Sequence, residues 1–282
     1  MIASIMAELM LLSKRAATWV LLGIWVALAA FFGYILPYIT YRNENDPGAP
    51  GGIRPSLEDM LPHEFVGTVL GGYPFFGGVM VLILGVMTLG SEYGWGTLKT
   101  VFTQRPGRLQ VFSARMIALG LTLIAYVLAS FMISGVASAV IANVEDQAMN
   151  WPGPWLLLKG LAAAWLIMAV WAGLGVLLGV VSRGTALAIG IGILYGLVIE
   201  GLISALFDQV SVLKPVIDVL LRANAYSLAA AVGATAESAR DNGPGAFSGP
   251  YVGGWQATIV LLLQLAVFMG IARYVLRRRD VT

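Results

Sequence analysis

Six stretches of this chain are long and apolar enough to cross a bilayer, and that count limits the fold more than any other feature. A hydrocarbon core about 30 Å thick needs about 20 mostly apolar residues from a helix. Such runs cover residues 16–39, 65–90, 116–142, 155–181, 186–207 and 255–276. None shows the alternating ten-residue pattern of an outer-membrane barrel. Lipid offers backbone N–H and C=O groups no partner, so helices are the remaining way across. The sequence therefore reads as an all-α membrane protein, with a single transmembrane domain over residues 1–282.

Composition agrees. Of 282 residues, 59% are hydrophobic and 11% charged, too little charge to cover a water-soluble surface. The same balance excludes a disordered chain. With no cysteine, a disulfide framework, a zinc–thiolate site and an iron–sulfur cluster are excluded. The one histidine, His63, leaves no histidine-based metal set and reads as a surface residue of a Pro-, Gly- and acid-rich loop over 40–64. The first apolar run follows Lys14 and Arg15 and carries Ala27-Leu28-Ala29, which resembles a signal cleavage site. At about 24 residues it exceeds the 7–15 of a signal sequence and reads as a retained span.

The positive-inside rule sets the orientation. With a cytoplasmic N-terminus, the inner segments hold Lys14, Arg15, Lys99, Arg105, Arg108, Arg115, Arg183, Arg273, Arg277, Arg278 and Arg279. The inner acids are Glu8, Glu92 and Asp280, whereas most acids fall outside. Both termini are expected in the cytoplasm. Trp151, Trp155, Tyr251 and Trp255 cluster at the outer ends of spans four and six, as an interfacial aromatic belt does.

Two segments outside the spans read as helices. Ile2, Ile5, Met6, Leu9 and Leu12 recur at helical spacing, with Ser4, Glu8 and Arg15 on another face, which predicts an N-terminal interfacial helix over 1–15. Between spans five and six, Lys214, Asp218 and Arg222 fall at i, i+4 and i+8 among Val, Leu and Ile. This predicts an outer amphipathic or re-entrant helical segment over Pro215–Val232, lying on or dipping into the membrane surface. A short seventh span is the competitor, and the three spaced charges argue against it.

The inner connection Ser91–Arg115, SEYGWGTLKTVFTQRPGRLQVFSAR, is the most informative stretch. A helix over Gly96–Thr103 would project Trp95, Leu98 and Phe102 to similar sides among basic residues. Arg105-Pro106-Gly107-Arg108 would end it. Periodicity alone fits equally a docking element for a cytoplasmic partner and an interfacial helix that satisfies the positive-inside rule.

This stretch resembles the inner loop of ABC-2 type ABC transporter permeases, roughly E-x-x-x-G-T-L, a short helix, P-x-x-R and a basic residue opening span three. Here the pattern is Glu92, Gly96-Thr97-Leu98, Pro106, Arg108 and Arg115. The Pro-to-Arg interval is one residue shorter, and Arg115 stands where lysine is common. The resemblance implies a transmembrane permease subunit in a bacterial plasma (inner) membrane, paired with a second permease as a homodimer or with a close paralogue. Each permease would dock through a coupling helix between spans two and three onto one of two copies of a cytoplasmic ABC ATPase. By resemblance, Glu92 and Gly96-Thr97 shape that helix, Trp95, Leu98 and Phe102 fill the ATPase groove, and Lys99, Arg105 and Arg108 supply its basic surround. ATP and Mg would be held by the partner, and this chain would bind no cofactor. An extracytoplasmic partner is compatible with the family, and nucleic acid is not among the expected partners.

The chain's own residues agree that ATP hydrolysis lies elsewhere. A P-loop needs a lysine directly after glycine, and none of Lys14, Lys99, Lys159 and Lys214 follows one. An intramembrane protease would need a histidine within the spans, which His63 does not supply. An ATP-independent carrier or channel would show pore polarity or internal repeats, and neither is visible. A scaffold subunit of a membrane complex remains an alternative that sequence alone leaves open.

Polar residues within the spans are few. Glu200 is the one clear intramembrane charge, with Tyr195 one turn before and Ser204 one turn after. Such a carboxylate marks a functional site by default, or else a helix-end residue reaching the interface. In span three, Thr122, Tyr126, Ser130, Ser134 and Ser138 step by four residues and either line a substrate pathway or let helices approach closely. Gly71-Gly72 and Pro74 predict a kink in span two. The spans carry no ladder of charges, so any cargo is expected to be apolar or amphipathic.

Overall fold

A computed structural model describes residues 2–44, 56–95, 107–207, 214–234 and 252–278. Among these, six helices are long and apolar enough to cross a membrane, at Ala16–Asn43, Tyr73–Ser91, Leu109–Val144, Pro154–Ser182, Thr185–Ile203 and Gly254–Arg278. They are spans 1 to 6, and they lie where the apolar runs place them. The described residues contain no strand. The chain is a multi-pass helical membrane protein. The start of span 1 and the end of span 6 mark one face of the bundle, called here the near face, and the ends of spans 1, 3 and 5 mark the far face.

The helices overrun the apolar runs at three places. Span 1 continues helically to Glu44. The helix of span 2 continues to Trp95. The helix of span 3 begins at Arg108, which makes Arg115 an interior helical residue rather than the one that opens the span.

Spans 2 and 4 form the core. Of their most apolar stretches 67% and 78% is buried, against 17% for each of spans 1 and 6, so the other spans wrap around this pair. Lipid gives helices no hydrophobic reason to associate, so close packing must hold them. Here it reaches backbone contact. A Cβ on Gly85 would collide with the carbonyl of Ala172, and one on Gly175 with the carbonyl of Leu82.

Spans 1, 2 and 5 each contain a π turn, at Phe31–Ile35, Tyr73–Gly77 and Leu194–Ile199. The turn in span 2 is the kink expected from its sequence. One helix, Phe65–Gly71, stops before Gly72, and the Gly77 N–H reaches back five residues to the Gly72 carbonyl at 3.2 Å. Pro74 has no N–H to give, and the wider turn accommodates its ring. Trp25 of span 1 packs against this kink, meeting Tyr73 edge-on with ring centroids 4.9 Å apart.

The N-terminal helix runs from Ile2 to Lys14, and Arg15 is extended (φ −76°, ψ 120°) before span 1 begins at Ala16. Its faces differ from the sequence expectation. Leu12 is buried and Ile5, Glu8 and Leu9 are half-buried, whereas Ile2, Met6 and Met10 are exposed. Glu8 thus shares the inward face with apolar residues, because a basic partner waits there.

The segment between spans 5 and 6 also departs from expectation. Two helices form, Lys214–Ile217 and Leu221–Ala231, with a turn between. The break cancels the i, i+4, i+8 relation of Lys214, Asp218 and Arg222. Arg222 is fully buried instead of lying on a polar outer face. The second helix ends at the far face, where Ala231 abuts Gly254 and Gly233 abuts Gly67. Its N-terminus meets Gly196 and Glu200 of span 5, and Gly196 is roughly 16 Å along that span from Thr185 at 1.5 Å per residue. Gln264 of span 6 donates its amide to the Val219 carbonyl at 2.8 Å, about 15 Å in from Gly254 by the same rise. Leu221–Ala231, called here the half-helix, therefore starts beside the middle of spans 5 and 6 and ends beside the start of span 6.

Candidate functional site

Two buried polar stations and one connecting segment carry the candidate chemistry. The first station centres on Glu200, which follows the π turn of span 5 directly. Glu200 is fully buried and does not reach the far interface. Its carboxylate accepts the backbone N–H of Leu221 at 3.0 Å and of Arg222 at 2.7 Å. These are two of the N–H groups that a helix start leaves without intrahelical partners. The positive end of the half-helix dipole points at the same carboxylate.

Arg222 completes the station from the other side. Its guanidinium donates to the Gly196 carbonyl at 2.9 Å. Gly196 lies within the π turn, where the shifted bonding pattern frees carbonyl capacity. The rings of Phe75 and Tyr226 face the guanidinium at 5.2 and 5.8 Å. Phe75 belongs to the π turn of span 2. The Tyr195 hydroxyl adjoins Glu200. Spans 2 and 5 and the half-helix thus meet at one buried point. Ser204 lies further along the helix Glu200–Phe207.

The serine run of span 3 faces spans 1 and 2. Tyr126 donates to the Thr18 carbonyl at 2.5 Å. Ser130 shares a hydrogen bond of 2.5 Å with Tyr73. Ser138 donates to the Met60 carbonyl at 2.9 Å. Ser134 adjoins the Tyr34 hydroxyl, with both groups buried and their geometry short of a closed hydrogen bond. Tyr126, Ser130, Ser134 and Ser138 are buried, whereas Thr122 is half-buried and donates to the Ala118 carbonyl of its own helix at 2.9 Å. The opposite, exposed face of span 3 carries Leu128, Met132, Val136 and Val140.

The second station is at the near face. Arg115 Nε and a terminal nitrogen donate to the two Glu8 oxygens at 3.0 and 2.9 Å, a fork-on-fork pair. The other terminal nitrogen reaches the Thr88 carbonyl at 3.3 Å. Arg15 donates to the Met87 carbonyl at 2.9 Å. The N-terminal helix is therefore tied to the start of span 3 and to the near end of span 2. Those are the helices that bracket the connecting segment. Glu92 and Trp95 lie in the last turn of the span 2 helix, and Arg108 is the first residue of the span 3 helix. Gly96, Thr97, Leu98, Lys99, Phe102 and Arg105, and with them the expected coupling helix, lie outside the described residues.

Sequence reasoning named Glu200 and Arg115 but missed their partners, Arg222 and Glu8. A usable signal existed in both cases. One acid stands alone in the membrane, and one acid stands alone in the N-terminal segment, so each calls for a base. The described residues contain no group of three His, Asp or Glu able to hold a metal ion.

Six apolar spans around a backbone-packed pair, with a half-helix at one end and a clamped terminal helix at the other, define a multi-pass helical membrane protein. Residues 4–199 match the family described as ABC-2 family transporter protein, and the chain belongs to that family. It is a membrane component of an ABC transporter. The match ends before Glu200, the half-helix and span 6. No curated protein matches the chain.

Proposed function

We propose that this chain is the permease subunit of an ABC-2 transporter that works with ATP hydrolysed on separate cytoplasmic ATPase subunits. Two permeases, alike or paralogous, would pair in a bacterial plasma membrane with the near face in the cytoplasm. Each would engage one of two ATPase copies, which hold ATP and Mg. The family match carries this reading, and the segment between spans 2 and 3 is where it becomes specific. Glu92, Gly96 and Thr97 shape the coupling element. Trp95, Leu98 and Phe102 fill the ATPase groove, and Lys99, Arg105 and Arg108 meet its rim or lipid phosphates. Glu8–Arg115 and Arg15–Met87 support this role, because they fasten the helices at both ends of the segment to the N-terminal helix and to the residue that follows it. A push on the segment would then move three helices together.

The cargo would be apolar or amphipathic. Ile117, Leu121, Leu128, Met132 and Val136 exposed along span 3, and Leu187, Ile191, Val198 and Leu202 along span 5, are aliphatic or Met. In this reading Glu200 and Ser204 border the pathway, while Tyr126, Ser130 and Ser134 bear on it through the packing of span 3. The test is affinity purification in mild detergent from the native membrane. A stoichiometric ATPase should accompany the chain, and Trp95→Ala with Phe102→Ala should reduce its recovery while the permease stays folded. Undiminished ATPase recovery with the double variant would refute the docking role.

A further inference from the structure

We infer that Glu200 is a latch that holds the half-helix Leu221–Ala231 seated in the far half of the bundle, and that releasing it lets the half-helix withdraw. The inference does not depend on which ATPase docks or on what is carried. It begins with where the charges are. Glu200 and Arg222 are both fully buried, near mid-depth, where each is costly unless its partners are in place. The partners come from different elements. Glu200 of span 5 takes its backbone donors from the half-helix. Arg222 of the half-helix takes its carbonyl from span 5. Separating the two elements breaks both sets at once, so intermediate positions are disfavoured and the seat has two states rather than a continuum.

The surroundings fit a movable element. The half-helix is bracketed by a turn over 218–220 and by Gly233, whose φ of +111° suits glycine. At its outer end it meets Gly254, the first residue of span 6. Both helices that receive its inner end do so through π turns, Leu194–Ile199 at Gly196 and Tyr73–Gly77 at Phe75. Eight of its eleven residues are buried, Leu221, Arg222 and Leu228 among them, so the seated half-helix shields Ser227 and a withdrawn one would expose it. Neither element alone explains why a carboxylate and an arginine are placed here. A seat that must both hold and let go does.

The chain has no native cysteine, so single introduced thiols report accessibility cleanly. Ser227→Cys places a thiol on the buried face of the half-helix. Ser134→Cys places one in the buried packing of span 3, as a control. Both are made in the full chain, in freeze–thawed native membranes open to reagent from both sides, and labelled with a charged maleimide. In the parent, both positions should label slowly. With Glu200→Gln added, Ser227→Cys should label about ten-fold faster or more, as a local opening would allow. Ser134→Cys should not change. Glu200→Asp, which keeps the charge on a shorter arm, should fall between. Equal labelling of Ser227→Cys with and without Glu200→Gln overturns the latch. Faster labelling at both positions also overturns it, since Glu200 would then hold the bundle as a whole.

Discussion

The two stations use the same pair of residue types and solve different problems. At the near face, Glu8 and Arg115 join side chain to side chain, with the glutamate 13% and the arginine 3% exposed. In the far half, the glutamate instead caps the start of a helix and the arginine caps a carbonyl, both without exposure. The first arrangement can borrow water at its edge, so loss of one partner is partly compensated. The second cannot, because its charges are satisfied by backbone dipoles that exist only while the half-helix is seated. A third pairing, Arg42 with Glu145 and Tyr38 at the far surface, completes the series, with the arginine side chain 57% exposed.

That ordering is testable. Glu200→Ala strips the half-helix start of its acceptor and should destabilise the detergent-solubilised protein most, by about 3–5 kcal/mol, the range for breaking a buried charged pair. Tryptophan fluorescence during thermal unfolding would measure it. Glu8→Ala should cost about 1–3 kcal/mol, as for a charge-assisted hydrogen bond with water nearby. Its effect should be local, with trypsin cutting at Lys14 and Arg15 faster than in the parent. Should Glu8→Ala prove as damaging as Glu200→Ala, the contrast between the stations fails.

Salt sharpens the contrast. Between about 0.05 and 1 M salt the Debye length falls several-fold, so the penalty of Glu8→Ala should shrink while that of Glu200→Ala stays constant. Paired melting curves at the two ionic strengths would show it. At the far surface, Tyr38→Phe removes the hydroxyl that bridges Arg42 and Glu145. It should leave the melting temperature unchanged, as exposed pairs generally do. A measurable drop there would mean that exposure does not rank these pairings.

The spans and the kink of span 2 were readable from composition and spacing, since twenty apolar residues and a Gly-Gly-x-Pro run leave the backbone little choice. What lay beyond reading was which way a charge turns. Helical periodicity assigns faces by polarity and sets Glu8 apart from the apolar face, yet Glu8 turns inward because Arg115 lies there. Arg222 was placed on a polar stripe because the spacing from Lys214 assumes an unbroken helix. The turn at Val219 is fastened by Gln264, which lies on span 6 and leaves no local mark. Glu200 was recognised as unusual but not as the cap of a helix twenty-odd residues later. The spacing of the polar run in span 3 fits pathway and packing alike, and Tyr126 and Ser130 bond to spans 1 and 2. Long-range partners decided each of these, and periodicity does not report partners.

The capped half-helix also has a history in time. Glu200 precedes its two donors by 21 and 22 residues, so at 5–20 residues per second it leaves the ribosome about 1–4 seconds before them. Through that interval span 5 holds a carboxylate whose two backbone donors are still to be made. A chain cut short before Leu221 would leave the end of span 5 with an intramembrane carboxylate and neither backbone donor, so it should insert less completely than the full chain.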